Sequence, residues 1–284
     1  MNALRIVFFG EDSFSDCVLK SLIKKGYDVA AVVTPEYDNL IYKRLEFTSN
    51  RHYIPFHRIK KINSEYTKQL IRDINPRMGV ICHFEHLVSP EILNIPEYGF
   101  INLHPSLLPF YRGLTPQHRP IMAGESITGI TVHRVNATAD TGDIIIQREI
   151  ELGPDDYVTD LQKKWLAVYP EIVPEAIEHL VSGKPLVSQK GLEGTYFGRI
   201  TPEEMIINID GSVDDAYNLV RALSFPYHGA TTGGIVVDRA HKADEAEVAS
   251  LASLTNGLHM DTPLGDVIKF HDGILIIDKK RNIS

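Results

Sequence analysis

Asn102 and His104 are the residues whose types and spacing point to chemistry, and the loop that holds Asp140 can bring an acid to them. Asn102 and His104 stand two apart at the end of Gly99-Phe100-Ile101, which reads as the close of a buried strand. Alternation along a strand sends residues i and i+2 to one face. An amide donor and an imidazole therefore project together where the strand gives out. An amide N–H stabilises an oxyanion and an imidazole moves a proton near neutral pH, so the pair suits acyl transfer. Alone, such a pair is more often a turn-former beside a satisfied core histidine, and it is the longer motif around it that favours chemistry. Pro105 and Pro109 prevent an ordinary helix from starting after His104 and predict a stiff extended loop across the strand ends. In an open parallel sheet that edge is where ligands bind. Asp140 lies in the polar connection 136–143, between the alternating segments 127–135 and 144–150, which suggest an antiparallel hairpin-like pair. That loop can swing an acid toward His104, and it holds two, Asp140 and Asp143, either of which can instead cap or tether it.

The elements that must position these residues are legible on both sides. Leu4 to Phe9 reads as a buried first strand. A helix carrying Val18, Leu19, Leu22 and Ile23 and a second strand at Tyr27 to Thr34 complete a βαβ unit. Its first turn lacks Gly-x-Gly-x-x-Gly, which argues against a dinucleotide oxidoreductase. Pro35 to Ser49 reads as polar and irregular, and Ser64 as the N-cap of a helix ending at Asn75-Pro76. Met78 to Ile81 is a further strand. The segment after it holds His83, Glu85 and His86, but the spacing is not His-Glu-x-x-His and no metal is expected. Residues 156–181 are helical in composition, with Pro170 and Pro174 predicted to break the helix in two, and 182–185 make a linker. The tail changes character: a helix capped by Ser212, then the strand-like runs GIVV, VIKF and GILIID. Phe197, Phe225 and Tyr227 read either as core or as a platform for a ligand.

Composition narrows the classes. The 284 residues allow one large domain, or one medium and one small. A net charge of −8 argues against a polyanionic partner. Cys17 and Cys82 cannot build a disulfide framework and fit buried thiols in a reducing cytoplasm. No signal peptide is read at the start and no run approaches the roughly 18 apolar residues of a membrane span, so no membrane partner is expected.

The ordered set NLHPSLLP (102–109), YRG (111–113), TGIT (128–131) and DTGDI (140–144) resembles the formyltransferase family that uses 10-formyltetrahydrofolate. The resemblance covers nearly the whole chain. It implies an α/β fold: a Rossmann-like formyltransferase domain with a mostly parallel central sheet over 1–200. A small α+β domain rich in strands, 201–284, would follow as a dimerisation or acceptor-site element. It implies Asn102, His104 and Asp140 as catalytic residues, with His86, Leu87, Val88 and Asp140 against the folate. Acceptor contacts carried over by position are Ser106, Tyr111, Arg112, Tyr227 and His228. Arg112 either holds a phosphate or carboxylate or braces its loop. His228 stands where the family's Pro-Tyr-Pro-Gly-Ala-like motif has its second Pro. No metal is implied.

The family acts on several amines. Residues from 201 onward carry seven Lys or Arg against thirteen Asp or Glu, 7 − 13 = −6, which would repel transfer RNA. The chain most resembles the nucleotide-sugar N-formyltransferase branch. That implies a dTDP-3- or 4-amino-dideoxyhexose acceptor, a place in surface-polysaccharide (O-antigen) synthesis, a cytoplasmic homodimer and no nucleic-acid partner. The alternatives are a methionyl-tRNA formyltransferase and a non-catalytic folate or nucleotide binder on the same fold.

Overall fold

The computed structural model describes residues 3–36 and 42–282. The chain forms two compact units. The first comprises Met1–Leu114, Gly129–Ile150 and Lys164–Phe197; the second comprises Thr115–Thr128, Glu151–Lys163 and Gly198–Ser284. Two segments that precede residue 200 therefore belong with the tail.

In the first unit, strands β1 (Arg5–Gly10), β2 (Asp28–Pro35), β3 (Phe56–Ile59), β4 (Met78–Cys82) and β5 (Phe100–His104) are interleaved with four helices. These are α1 (Ser13–Lys24), α2 (Lys43–Arg51), α3 (Glu65–Ile74) and α4 (Pro90–Leu93). The short β6 (Arg112–Gly113) follows, then, after α5 (Arg119–Met122) of the second unit, β7 (Ile127–Arg134), β8 (Ile144–Glu151), α6 (Val158–Val181) and β9 (Tyr196–Phe197). The main sheet runs β3-β2-β1-β4-β5-β7-β8. Its first five strands are parallel and β7 is antiparallel to β5, so the mostly parallel α/β sheet expected from sequence is present. Continuous apolar strands suit such a sheet because both faces are covered. Ile6 to Phe9 are accordingly all fully buried.

Three local expectations are corrected. Part of the stretch predicted irregular is α2, anchored where the Thr48 hydroxyl donates to Asp16 at 2.6 Å; residues 37–41 lie outside the described residues. α6 is one helix of 24 residues with both prolines inside it. Pro174 lacks the N–H that would bond the Pro170 carbonyl, and the Ser21 hydroxyl donates to that carbonyl instead. The loop after His104 is turned rather than extended, with Ser106 N–H bonding His104 O and Phe110 N–H bonding Leu107 O.

The second unit is built on an antiparallel sheet ordered β10-β11-β14-β13-β12. Its strands are β10 (Ala230–Thr232), β11 (Ile235–Lys242), β12 (Gly257–Thr262), β13 (Gly265–Lys269) and β14 (Ile274–Asn282). Helix α7 (Val213–Leu223) packs on β11 and β14, and α8 (Glu245–Ser250) lies between β11 and β12 in sequence. Ser212 caps α7 as expected, accepting from Asp215 N–H. The strand-rich tail is thus present, with five strands where three runs were apparent.

Candidate active site

The site is assembled where β5 ends. Across the β5–β7 pair Asn102 lies opposite His133, and His104 lies opposite Thr131. Residues directly opposite share a face, and alternation puts His104 on the face of Asn102. The connection between β7 and β8 then brings Asp140 onto that face. Asp140 Oδ1 lies 3.4 Å from Asn102 Nδ2, 3.6 Å from His104 Nδ1 and 3.5 Å from His133 Nε2. Its Oδ2 accepts the Gly113 N–H at 2.9 Å. One carboxylate therefore ties its own loop to three strands, β5, β6 and β7.

Hydrogen bonding settles the ring nitrogens. A carbonyl only accepts, so His104 Nε2 carries a hydrogen donated to Tyr111 O at 2.9 Å. The neutral ring leaves its lone pair on Nδ1, toward Asp140. His133 Nδ1 likewise donates to Arg134 O at 2.7 Å, leaving Nε2 to accept from Asn102 Nδ2 at 3.2 Å. This differs from a serine-protease-like triad, in which the acid takes one imidazole N–H and the other nitrogen faces substrate. Here the nitrogen free to gain a proton is the one beside the acid.

The electrostatics agree with that arrangement. Burial pushes the Asp140 carboxyl up, but the imidazoles of His104 and His133 and the Gly113 N–H outweigh it and hold it well below the usual carboxylate range. At His104 burial dominates and lowers the imidazole pKa against the opposing pull of Asp140 and the Tyr111 carbonyl. The result is a neutral base next to an ionised acid.

The other expected positions fall into three groups. Ser106 is fully buried and its hydroxyl donates to Phe110 O at 2.8 Å, so it shapes the loop. Tyr111 supplies the carbonyl behind His104 and stacks its ring on Phe197 at 5.8 Å. Arg112 directs its guanidinium to Gln189 Oε1, at 2.8 Å from Nη2, which is the bracing geometry. After β4, Leu87 exposes its side chain while its carbonyl accepts from Asn63 Nδ2 at 2.8 Å. His86 is exposed and Val88 is buried beside it. Tyr227 and His228 belong to the second unit. There the Tyr227 ring meets His118 edge-on at 4.5 Å, and the His228 carbonyl accepts from Arg281 at 2.7 Å. Phe197 lies in the first unit and Phe225 in the second, so the three aromatics do not belong to one unit.

His133 and Gln189 are the site residues that sequence reasoning missed. His133 was signalled by alternation along β7, which puts it two positions from Thr131. His83, weighed for a metal, has both nitrogens in hydrogen-bond contact, with Asp12 at 3.0 Å and Tyr169 at 2.9 Å. Among the described residues no group of His, Cys, Asp or Glu is arranged to hold a metal ion, and no helix is long and apolar enough to cross a membrane.

An amide, an imidazole and a carboxylate thus meet at the C-terminal edge of a mostly parallel sheet, an arrangement suited to group transfer. The formyl transferase family model matches residues 4–177, and the chain belongs to that family. A methionyl-tRNA formyltransferase of Caldanaerobacter subterraneus is 35% identical over 237 residues, which are 81% of this chain and 76% of that protein. WlaRD, a sugar 3N-formyl transferase crystallised with dTDP and 5-N-formyl-THF, matches with a TM-score of 0.75 at 20% identity, covering 100% of both chains. The N-formyltransferase from Helicobacter canadensis, in complex with folinic acid and dTDP-3-aminofucose, matches with a TM-score of 0.72 at 19% identity, covering 98% of this chain and 100% of that one. These structural likenesses show the fold, including its strand-rich C-terminal part.

Proposed function

We propose that this enzyme transfers the formyl group of 10-formyltetrahydrofolate to the amine of a nucleotide-linked amino sugar. The acceptor we favour is a dTDP-3- or 4-amino-dideoxyhexose, in the cytoplasmic synthesis of surface polysaccharide such as O-antigen. Asn102, His104 and Asp140 are the catalytic residues of this reading. A free amine is mostly protonated at neutral pH and must lose its proton to attack. His104 takes that proton at Nδ1, the nitrogen its bond to Tyr111 leaves open, and Asp140 stabilises the imidazolium. Asn102, held by His133, donates an N–H to the oxygen on which charge develops, an interaction worth about 3 kcal/mol in acyl-transfer enzymes. The folate supplies the activated formyl group. As the tetrahedral adduct collapses, the bond from the formyl carbon to folate N10 breaks and that nitrogen leaves with the proton returned from His104, giving tetrahydrofolate and the N-formyl product. The backbone of His86, Leu87 and Val88 receives the folate ring, and the Leu87 carbonyl keeps one lone pair beside its bond from Asn63. Ser106, Tyr111 and Arg112 shape the loop on the acceptor side.

The acidic excess of the tail carries the choice of acceptor. A charge of 7 − 13 = −6 over residues 201–284 suits a small diphosphate-linked sugar better than a tRNA backbone. The full-length likeness to two sugar N-formyltransferases supports the same reading. We assign residues 201–284 to self-association as a homodimer or to acceptor binding, with Tyr227 and His228 as its acceptor contacts. A second reading, methionyl-tRNA formylation, is favoured by the name of the relative at 35% identity. An endpoint assay with 10-formyltetrahydrofolate and thymidine-, uridine- and guanosine-linked amino sugars and methionyl-tRNA separates the two. Formylation of a thymidine-linked sugar is expected; formylation of tRNA alone would overturn the assignment.

A further inference from the structure

The segment after α6 fastens both loops that make the site. Val187 exchanges backbone hydrogen bonds with Ile144 at 2.8 and 2.9 Å. Thr195 accepts the Tyr111 N–H on its hydroxyl at 2.8 Å and the Arg112 N–H on its carbonyl at 3.0 Å. Between these anchors lies Gln189, 4% exposed. Its Oε1 accepts from Arg112 Nη2 at 2.8 Å and Nε at 3.3 Å, and its Nε2 donates to Asp140 O at 3.0 Å and Gly142 O at 2.6 Å. The amide has one workable orientation, because the guanidinium only donates and the two carbonyls only accept.

Asp140 has φ of +55°, in the left-handed region that non-glycine residues seldom occupy. Such a conformation persists where the surroundings over-determine it. Gln189 grips the carbonyl of Asp140 itself and that of Gly142, while Gly113 N–H grips the carboxylate. We infer that Gln189, oriented by Arg112, is a positioning residue that holds Asp140 in this conformation so that its carboxylate faces His104. The inference rests on the reading of Asp140 and His104 as the acid and base of the proposed reaction. Gln189 touches neither reactant; it acts through Asp140.

The test uses the full chain with Gln189→Ala and Gln189→Glu. The second keeps an acceptor for Arg112 and the shape of the side chain, but turns a carboxylate oxygen toward two carbonyls. A strap that needed only its Arg112 anchor would tolerate it. The first readout is the His104 titration midpoint, followed by NMR of histidine-labelled protein without substrate. The groups facing His104 are Asp140, His133 and His83, and of these only Asp140 is released by the substitutions. Asp140 raises the His104 pKa, so the midpoint is expected to fall in both variants. The second readout is kinetic: kcat is expected to drop about 100-fold, the scale of an ångström-level misplacement, with KM for the acceptor unchanged. An unchanged midpoint in the folded Glu variant, or a kcat within threefold of wild type, would overturn the inference. The NMR readout needs no acceptor, so a wrong acceptor assignment would leave it legible.

Discussion

Replacing Asp140 by Asn removes a charge while keeping the shape of the side chain. The variant still offers one amide oxygen to the Gly113 N–H, so the loop keeps that anchor. What is lost is the negative charge 3.6 Å from His104 Nδ1. At that separation and an effective dielectric of about 20, a unit charge stabilises an imidazolium by about 4 to 5 kcal/mol. Each 1.36 kcal/mol in the barrier is tenfold in rate, so kcat is expected to fall about 10³-fold. The assay is initial-rate formylation between about pH 5 and 9, with thermal melts to establish that the variant is folded. Because Asp140 raises the His104 pKa, its loss lowers that pKa further. The proposed reaction needs neutral His104 as its base, so the acid-side fall in kcat/KM is expected to move to lower pH. A loss below tenfold with an intact fold, or an acid limb that moves upward, would refute the placement of the proton on Nδ1.

Two further outcomes follow from groups described above or from the packing beside them. His118, buried and donating from Nδ1 to Ala222 O at 2.7 Å, has its pKa pushed down to about 4 by burial. A folded pKa below the unfolded value means stability that is present above about pH 6.5 and lost as pH falls through about 4, by about 3 kcal/mol. Urea unfolding of wild type and His118→Gln at descending pH checks this, and equal slopes would contradict it. At Gly142 an added Cβ would stand 1.8 Å from Arg134 O, so Gly142→Ala should displace the Asp140 loop. A lower melting temperature together with a fall in kcat is expected, and wild-type values for both would show that the loop is not held against β7.

The parts of the site that sequence exposed are those carried by local rules. Asn102 and His104 were legible because strand alternation is a two-residue rule and the apolar run before them marks a buried strand. Asp140 needed the long ordered motif, since nothing local says where a polar loop will swing. His133 stood on the right face of β7, but only the β5–β7 register places it against Asn102. Gln189 lies 49 residues from Asp140 in a stretch with no periodicity, and no local signal announces a contact of that range. The unbroken α6 failed for a related reason: the hydroxyl that satisfies Pro170 comes from Ser21, in a helix at the other end of the chain. Of the tail's two missed strands, β10 is only three residues, ATT, and β12 is a half-exposed edge whose residues GLHMDT do not alternate cleanly.

The strap that follows α6 also bears on how relatives of this enzyme can be recombined. The family match ends at residue 177, and the Ser182-Gly183-Lys184-Pro185 turn looks like the natural seam for grafting one C-terminal half onto another N-terminal half. A crossover there would bring in a foreign partner for Arg112 and foreign anchors for Tyr111 and Ile144. Such a chimaera would keep its sheet and Asn102, His104 and Asp140 while inheriting a mismatched fastening. A crossover after Phe197 keeps the whole fastening from one parent, and that is where hybrids that exchange residues 198–284 should be joined.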